Sequence, residues 1–110
     1  MLERRKYLRK STAALLELIS NVSKRVFGRG FVTNLSEGGV ALETSKNLHR
    51  GEKLVLHFML PDNNEFEVPG EIVYAREGIL NHAYGARFEN GDMDKEERLK
   101  SFIGTGDARN

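Results

Sequence analysis

The sequence contains no cysteine and no tryptophan. Without cysteine, disulfides, zinc-thiolate sites and thiol chemistry are excluded, and the chain suits a reducing compartment. It also lacks any apolar run near the ~20 residues that cross a bilayer, and its N-terminal charges are not followed by the apolar segment of a secretion signal. We therefore expect a cytoplasmic protein with no membrane insertion.

Charge of one sign is not in excess either. The formal net charge is only +1, which is unlike a dedicated DNA-binding protein. With 110 residues, 39% hydrophobic and 30% charged, the composition is that of one globular domain. The sequence holds no P-loop, no Gly-x-Ser-x-Gly elbow and no zinc signature, and His49, His57 and His82 are dispersed. We predict no enzymatic activity, no cofactor and no metal site.

Short apolar stretches recur at regular spacing and are separated by turn residues. They predict strands over residues 13–19, 25–35, 40–43, 54–60, 66–76 and 82–88. Gly28 and Gly30 interrupt the second stretch, where we expect a bulge or bend. Because no helices alternate with these strands, the sequence predicts a mainly β fold, a six-stranded antiparallel β-barrel.

The two ends of the chain differ from the predicted barrel. Residues 1–10 are basic and polar, so we expect an exposed, flexible N-terminal arm, and residues 105–110 should be a loose tail. Residues 11–104 would hold the barrel and a short C-terminal α-helix. Asp94 and Glu97 form an acidic capping pair for that helix. Its apolar stripe follows at i, i+3, i+4 spacing: Leu99, Phe102 and Ile103.

A polar segment ends the second predicted strand. Side chains two apart in a strand share a face, so Asn34 and Ser36 should point one way. On the same basis Phe31, Thr33 and Leu35 should share the opposite face. The polar pair would then lie together at the strand end.

Two glycines follow this polar pair. We expect Gly38 and Gly39 to take positive φ in a tight reversal and to let a ligand approach the backbone. Taken alone, the segment from residue 34 to residue 39 predicts a hairpin turn with a polar tip.

The basic arm supplies a second motif. Arg4, Arg5 and Arg9 form Arg-Arg-x-x-x-Arg. Arg5 and Arg9 are i, i+4 neighbours in a helical turn or about 13 Å apart in an extended chain, and either geometry can hold a small dianion. Arginine's planar fork matches both the O6 and N7 atoms of guanine and phosphate oxygens. Together with the polar turn, the arm predicts a guanine nucleotide site, and a solubilising arm is the alternative.

The two motifs resemble those of the PilZ domain family, the bacterial receptors for the second messenger cyclic di-GMP. That family carries Arg-x-x-x-Arg in an N-terminal arm and Asp/Asn-x-Ser-x-x-Gly at a strand end, followed by a six-stranded barrel. Here the motifs run from Arg5 to Arg9 and from Asn34 to Gly39. The segment Tyr84-Gly85-Ala86-Arg87-Phe88 is similar to the family's closing strand. The resemblance covers about residues 3 to 103.

The resemblance implies that the ligand is cyclic di-GMP. Arg5 and Arg9 would grip guanine edges and phosphates, and Arg4 would contact a second nucleotide. The ligand-binding set that it implies is Arg4, Arg5, Arg9, Asn34, Ser36, Gly38 and Gly39. Asn34 replaces the commoner aspartate, which implies a lower affinity because a neutral amide accepts guanine N–H donors less strongly. Leu8 stands where proline is frequent.

The hypothesis for function is a cyclic di-GMP receptor or adaptor whose arm becomes ordered by the ligand and signals to an unidentified partner protein, as a monomer or weak homodimer. One alternative is a PilZ-fold interaction adaptor that does not bind the nucleotide. Another is a small barrel that binds single-stranded nucleic acid. The latter needs a basic groove with exposed aromatic residues, and the sequence has neither outside the arm, so no DNA or RNA partner is expected.

Overall fold

Six strands make up most of residues 9–89, which are the residues that this computed structural model describes. In chain order they are β1 (Arg9–Ser20), β2 (Val26–Ser36), β3 (Gly39–Thr44), β4 (Lys53–Met59), β5 (Glu65–Arg76) and β6 (His82–Phe88). The prediction of six strands is confirmed. The predicted C-terminal helix and the first eight residues of the arm lie outside the described residues.

The strands close into a barrel in the order β1-β2-β3-β6-β5-β4. All neighbours are antiparallel, and β1 pairs with β4 to complete the ring, with Leu16 opposite Phe58 and Ser20 opposite Leu54. Closure gives each of the six described strands a hydrogen-bonded neighbour on both sides. The predicted antiparallel barrel is therefore confirmed. The predicted boundary between the arm (residues 1–10) and the barrel stays a prediction. In the structure the first strand, β1, begins at Arg9.

The core fills the barrel with aliphatic side chains and a pair of phenylalanines. In β4 the alternation is clear, because Leu54, Leu56 and Phe58 are buried while the residues between them are only half-buried. Phe58 stacks on Phe66 of β5, with ring centroids 5.5 Å apart. Period-2 burial of this kind is the expected signature of a strand with one face toward a core.

A β-bulge at Thr33 breaks this alternation in β2. The pairing of β2 with β3 skips Thr33, the extra residue of the bulge. As a result Leu35 is fully buried, at 0% exposure, whereas Phe31 is 49% exposed. The prediction that Phe31, Thr33 and Leu35 share one face is wrong, because the bulge moves Leu35 to the inner face.

One end of the barrel, which we call the crossover end, is formed by residues 20–25, 45–52 and 77–81. The β3–β4 connection crosses this end and buries Leu48 against the core. The Tyr84 hydroxyl donates to the Lys46 carbonyl and accepts the Leu48 N–H, both at 2.9 Å. A buried tyrosine with its hydroxyl satisfied in this way ties the connection to the barrel.

A charged cluster lies on the outer wall where β1, β4 and β5 meet. His57 Nδ1 is 3.0 Å from a Glu17 carboxylate oxygen, and Nε2 bonds to the Glu65 carboxylate. The hydrogen bond with Glu65 raises the pKa of His57 above its ordinary value of 6.5, and Glu17 raises it further, whereas partial burial lowers it. His57 therefore keeps its proton to higher pH in the folded barrel than in the unfolded chain.

This cluster predicts a small pH dependence of stability. Below pH 6.5 His57 is protonated in both states, so its attraction to the two carboxylates contributes fully to folding. The contribution is lost as pH rises through the higher folded pKa. Because the carboxylates are open to water, we expect a loss below about 1 kcal/mol. Urea unfolding of the native chain and of His57→Gln, across pH 6 to 9, measures it. The same pH slope in both proteins would contradict the assignment.

Candidate functional site

The turn between β2 and β3 is organised by one hydroxyl. Ser36 Oγ accepts the backbone N–H groups of Gly38 and Gly39, each at 3.2 Å, and donates to the Gly39 carbonyl at 3.3 Å. A serine hydroxyl has one donor and two lone pairs, so these bonds use its full capacity. Ser36 therefore holds the shape of the turn.

Neither glycine of this turn has a left-handed backbone, and Gly39 instead serves close packing. Within residues 9–89, positive φ occurs at Lys24, Asn63 and Gly51, so the prediction of positive φ for the two turn glycines is wrong. At Gly39 a Cβ atom would lie 2.1 Å from the carbonyl oxygen of residue 86 on β6. Only glycine lets the β3 and β6 backbones approach this closely.

Asn34 lies beside the turn with an amide available for a ligand. It follows the bulge, is half-buried and lines the same groove as Ser36, as expected for two side chains on one face. No hydrogen bond joins the Asn34 side chain to another residue of the 9–89 range. Its amide therefore offers donors and an acceptor toward the groove.

The start of β1 runs directly alongside this turn. Arg9 stands opposite Ser36 in the register of β1 and β2, and Ser11 stands opposite Asn34. The backbone thus brings the last arginine of the arm motif to the polar turn, which links the two predicted motifs. Arg4 and Arg5 lie outside the described residues.

An open groove of about 600 Å³ covers the outer face of β2, β3, β6 and β5. Asn34, Ser36, Gly38 and Gly39 line one part of it. The remaining lining residues are Thr33, Val40, Ala41, Leu42, Glu43, Val73, Tyr74, Arg76, Ala83, Tyr84, Gly85, Ala86 and Arg87. The groove lies within the ~300–1,000 Å³ range of small-molecule sites.

Three residues that line the groove and could contact a ligand were not predicted from the sequence: Tyr74, Arg76 and Arg87. Tyr74 presents a half-exposed ring, and Gly85 lies directly opposite it on β6 with no side chain to cover that ring. Arg76 and Arg87 add two cations against the single carboxylate of Glu43. The i, i+2 spacing of Tyr74 and Arg76 in β5 is the signal that could have placed both on one face.

Arg87 is held in place by a cross-strand ion pair. It lies opposite Glu71 in the β5–β6 register, and its guanidinium donates to the Glu71 carboxylate. The side chain is still more than half exposed, so its remaining donors face water and the groove. A guanidinium has five N–H donors, which leaves several for an anionic ligand.

The fold and the groove together define a small closed barrel with an open groove on its outer face. The PilZ domain family model matches residues 3–104, and the chain belongs to this family. A sequence comparison with curated proteins gives no match.

Solved structures with the same fold include three bacterial proteins. The chain is similar to the PilZ domain of Escherichia coli YcgR with c-di-GMP, at 18% identity and a TM-score of 0.77, covering 94% of this chain and 91% of that one. It is similar to Bacillus subtilis MotI/DgrA, an inhibitor of motility, at 16% identity and a TM-score of 0.79, covering 93% and 50%. It is also similar to K. pneumonia MrkH in its c-di-GMP complex, at 16% identity and a TM-score of 0.76, covering 94% and 52%. The chain thus spans about half the length of MotI/DgrA and MrkH.

Over residues 9–89, no group of three His, Asp or Glu side chains is placed to hold a metal ion. In the same range, no helix has the length and apolar character needed to traverse a bilayer.

Proposed function

We propose that this protein is a receptor for cyclic di-GMP that holds the dinucleotide in the groove beside the β2–β3 turn. The observation that carries the proposal is the β1–β2 register, in which Arg9 lies opposite Ser36. This register joins the arm motif to the turn motif at one place on the barrel. Family membership and the c-di-GMP present with YcgR and MrkH support the same ligand.

The chemistry of the groove matches this ligand. Cyclic di-GMP offers two phosphates and two guanines, so it needs cations, donors and flat apolar faces. Arg5 and Arg9 supply bidentate donors for phosphates and for guanine O6 and N7. The amide of Asn34 complements a guanine edge. We assign Tyr74 a stacking role against a base and Arg87 a role toward a phosphate, since both line the groove with exposed surface.

The polar residues of the turn have separate roles in this proposal. Ser36 positions the backbone of Gly38 and Gly39, because its hydroxyl is used within the turn. Asn34 makes the direct contact, since its amide has no hydrogen-bond partner among residues 9–89. The backbone at Gly39, without a side chain, lets the ligand lie close to the barrel. Arg4 extends the cationic surface toward a second nucleotide.

Signal output in this proposal comes from the arm. The dinucleotide draws the arginines of residues 1–10 onto the barrel, and the ordered arm forms a new surface for a partner protein. The protein acts in the cytoplasm as a monomer or weak homodimer, and it binds its ligand without catalysis. The partner is a protein rather than DNA or RNA.

Titration calorimetry with cyclic di-GMP tests the proposal. The native chain should bind with measurable heat at micromolar concentrations. Arg9→Ala should weaken binding at least about tenfold, because a charge-assisted hydrogen bond contributes about 1.5–3 kcal/mol. Asn34→Ala should weaken it by up to about tenfold, because a neutral bond to a guanine edge contributes about 0.5–1.5 kcal/mol. Arg5→Ala should behave like Arg9→Ala.

The control is Arg29→Ala, which removes an exposed arginine of β2 that pairs with Glu17 outside the groove. Its affinity should equal that of the native chain. No binding heat for the native chain would favour a PilZ-fold adaptor that does not use the nucleotide. Equal binding of unrelated oligonucleotides would instead favour a single-stranded nucleic-acid barrel.

A further inference from the structure

The crossover end exposes three aliphatic side chains that do not line the groove. Val22 is 91% exposed at the β1–β2 turn, and Ile79 and Leu80 are 98% and 84% exposed at the β5–β6 turn. A single exposed aliphatic residue is ordinary in a soluble protein. Three of them lie on two turns at one end of the barrel, and we call these two turns the tips. Such a concentration of exposed aliphatic side chains indicates an interaction surface.

The barrel topology sets the arrangement of these tips. Because all neighbouring strands are antiparallel, the β1–β2 turn, the β3–β4 connection and the β5–β6 turn lie at the same end. In the ring order, the β1–β2 pair and the β6–β5 pair are on opposite sides of the barrel. The two aliphatic tips therefore flank the β3–β4 connection that crosses between them.

Both tips are built by specific turn interactions. Ser20 Oγ accepts the N–H groups of Val22 and Ser23 at 3.2 and 3.1 Å, and the Lys24 N–H reaches the Ser20 carbonyl at 3.0 Å. At the other tip, a Cβ on Gly78 would lie 2.0 Å from the Asn81 carbonyl oxygen. These turns hold the aliphatic side chains outward in defined positions.

The surface between and below the tips is cationic. The crossover end carries four lysine and arginine residues and two acidic ones: Lys24, Arg25, Lys46 and Arg50 against Glu52 and Glu77. Within residues 9–89 none of these four cations is in an ion pair. Glu52 is partly engaged, since its carboxylate accepts the His49 N–H at 2.9 Å. The cations are therefore available to an anionic surface.

We propose that the crossover end docks on an anionic lipid surface. The aliphatic tips enter the boundary between headgroups and acyl chains, and the cations meet lipid phosphates while their stems extend along the interface. A folded protein partner matches the observations less well, because interface cores are rich in aromatic residues and poor in charge. Here the tips are aliphatic, and a charged connection separates them. A fluid surface accommodates two separate tips.

The absence of tryptophan from the chain permits a direct test by fluorescence. Leu80→Trp and Val22→Trp each place one indole at a tip, and Leu15→Trp places one at an exposed position of the β1 wall. Vesicles of equal parts phosphatidylglycerol and phosphatidylcholine should shift the emission of both tip reporters to shorter wavelength. The wall reporter should not shift, and pure phosphatidylcholine vesicles should shift none of them.

Sedimentation with the same vesicles tests the residues themselves. The double variant Ile79→Ser/Leu80→Ser should bind at least about tenfold more weakly than the native chain, because its tip no longer buries aliphatic area. Lys24→Gln/Arg25→Gln should weaken binding and reduce its salt dependence. The matched controls Leu15→Ser and Arg29→Gln should bind like the native chain.

Several results would overturn the proposal. One is no sedimentation with the anionic vesicles, and another is equal binding to neutral ones. Unchanged binding by Ile79→Ser/Leu80→Ser with unshifted tip reporters would assign the contact to another basic surface, such as the arm. Self-association of the native chain that Ile79→Ser/Leu80→Ser abolishes, without vesicle binding, would assign the tips to a second copy.

Discussion

Replacing Phe58 with alanine should lower the free energy of unfolding by about 3–5 kcal/mol. The ring is buried in the barrel, stacks on Phe66 and has Phe88 at a centroid distance of 6.5 Å. Its strand neighbours are Leu16 on β1 and Phe66 on β5, so it lies at the seam that closes the ring. Alanine would leave a cavity that these well-paired strands cannot collapse to fill.

Urea unfolding followed by far-ultraviolet circular dichroism measures this loss. The matched control is Phe31→Ala, since Phe31 is also a strand phenylalanine but is half exposed. We expect the control to cost less than about 1 kcal/mol. Similar losses in the two variants would contradict the described burial, and with it the position of the bulge in β2.

The strands were predictable because their signal is local. In β4 the buried residues recur at every second position, and in β6 the same pattern continues through Tyr84 and Ala86. Turn residues bound both segments, as at Asp62 and Asn63, where the turn before β5 closes with Asn63 N–H on the Leu60 carbonyl. Such alternation depends only on the sequence of one strand, so the barrel class followed from it.

The inner and outer faces of β2 were not predictable in the same way. A simple alternation puts Phe31 and Leu35 together, but the bulge at Thr33 separates them. The bulge arises where β2 is held between two partners, and its pairing with β1 is also irregular near residues 11–14. The position of an extra residue is therefore decided by neighbouring strands, which one segment alone does not specify.

Contacts between side chains on different strands were also not predictable from the sequence. In the sequence His57 is only one of three dispersed histidines, yet strand pairing brings Glu17, distant along the chain, next to its ring. The same pairing places Arg87 on the groove that contains Asn34. Motif spacing located the turn and the arm, whereas the rest of the groove depends on which strands become neighbours.

The structure also distinguishes the two polar residues of the turn motif, Asn34 and Ser36, by their hydrogen bonds. Asn34 and Ser36 look equivalent in the sequence, since both are small polar residues on one face. The hydroxyl of Ser36 is used by the backbone of the turn, and the amide of Asn34 has no partner within residues 9–89. A ligand in the groove would therefore meet Asn34 directly, while Ser36 acts through the backbone that it positions.

Gly39→Ala should lower the free energy of unfolding by at least about 3 kcal/mol, because it introduces overpacking against backbone. The added Cβ would lie 2.1 Å from the Ala86 carbonyl oxygen and 3.2 Å from the Cα of Arg87. These atoms belong to β6, whose backbone is fixed by pairing with β3 and β5. Relief of the clash requires β3 to separate from β6 at the strand end that carries the turn.

The matched control is Gly85→Ala in the strand that pairs with β3. There the added Cβ would have its nearest contact at 3.3 Å, with the Cβ of Tyr74, so we expect a cost of about 1 kcal/mol or less. Urea unfolding gives both values.

Gly39→Ala should also lose the hydrogen bonds of Ser36 to the turn. Amide exchange at residues 38 and 39, which should be slow in the native chain, should become fast in the variant. A stable Gly39→Ala protein that retains this protection would show that the β3 and β6 backbones can separate at this point without cost. The requirement for glycine would then lie in the approach of the ligand, and calorimetry on the same variant would reveal it as a loss of cyclic di-GMP binding in a fully folded barrel.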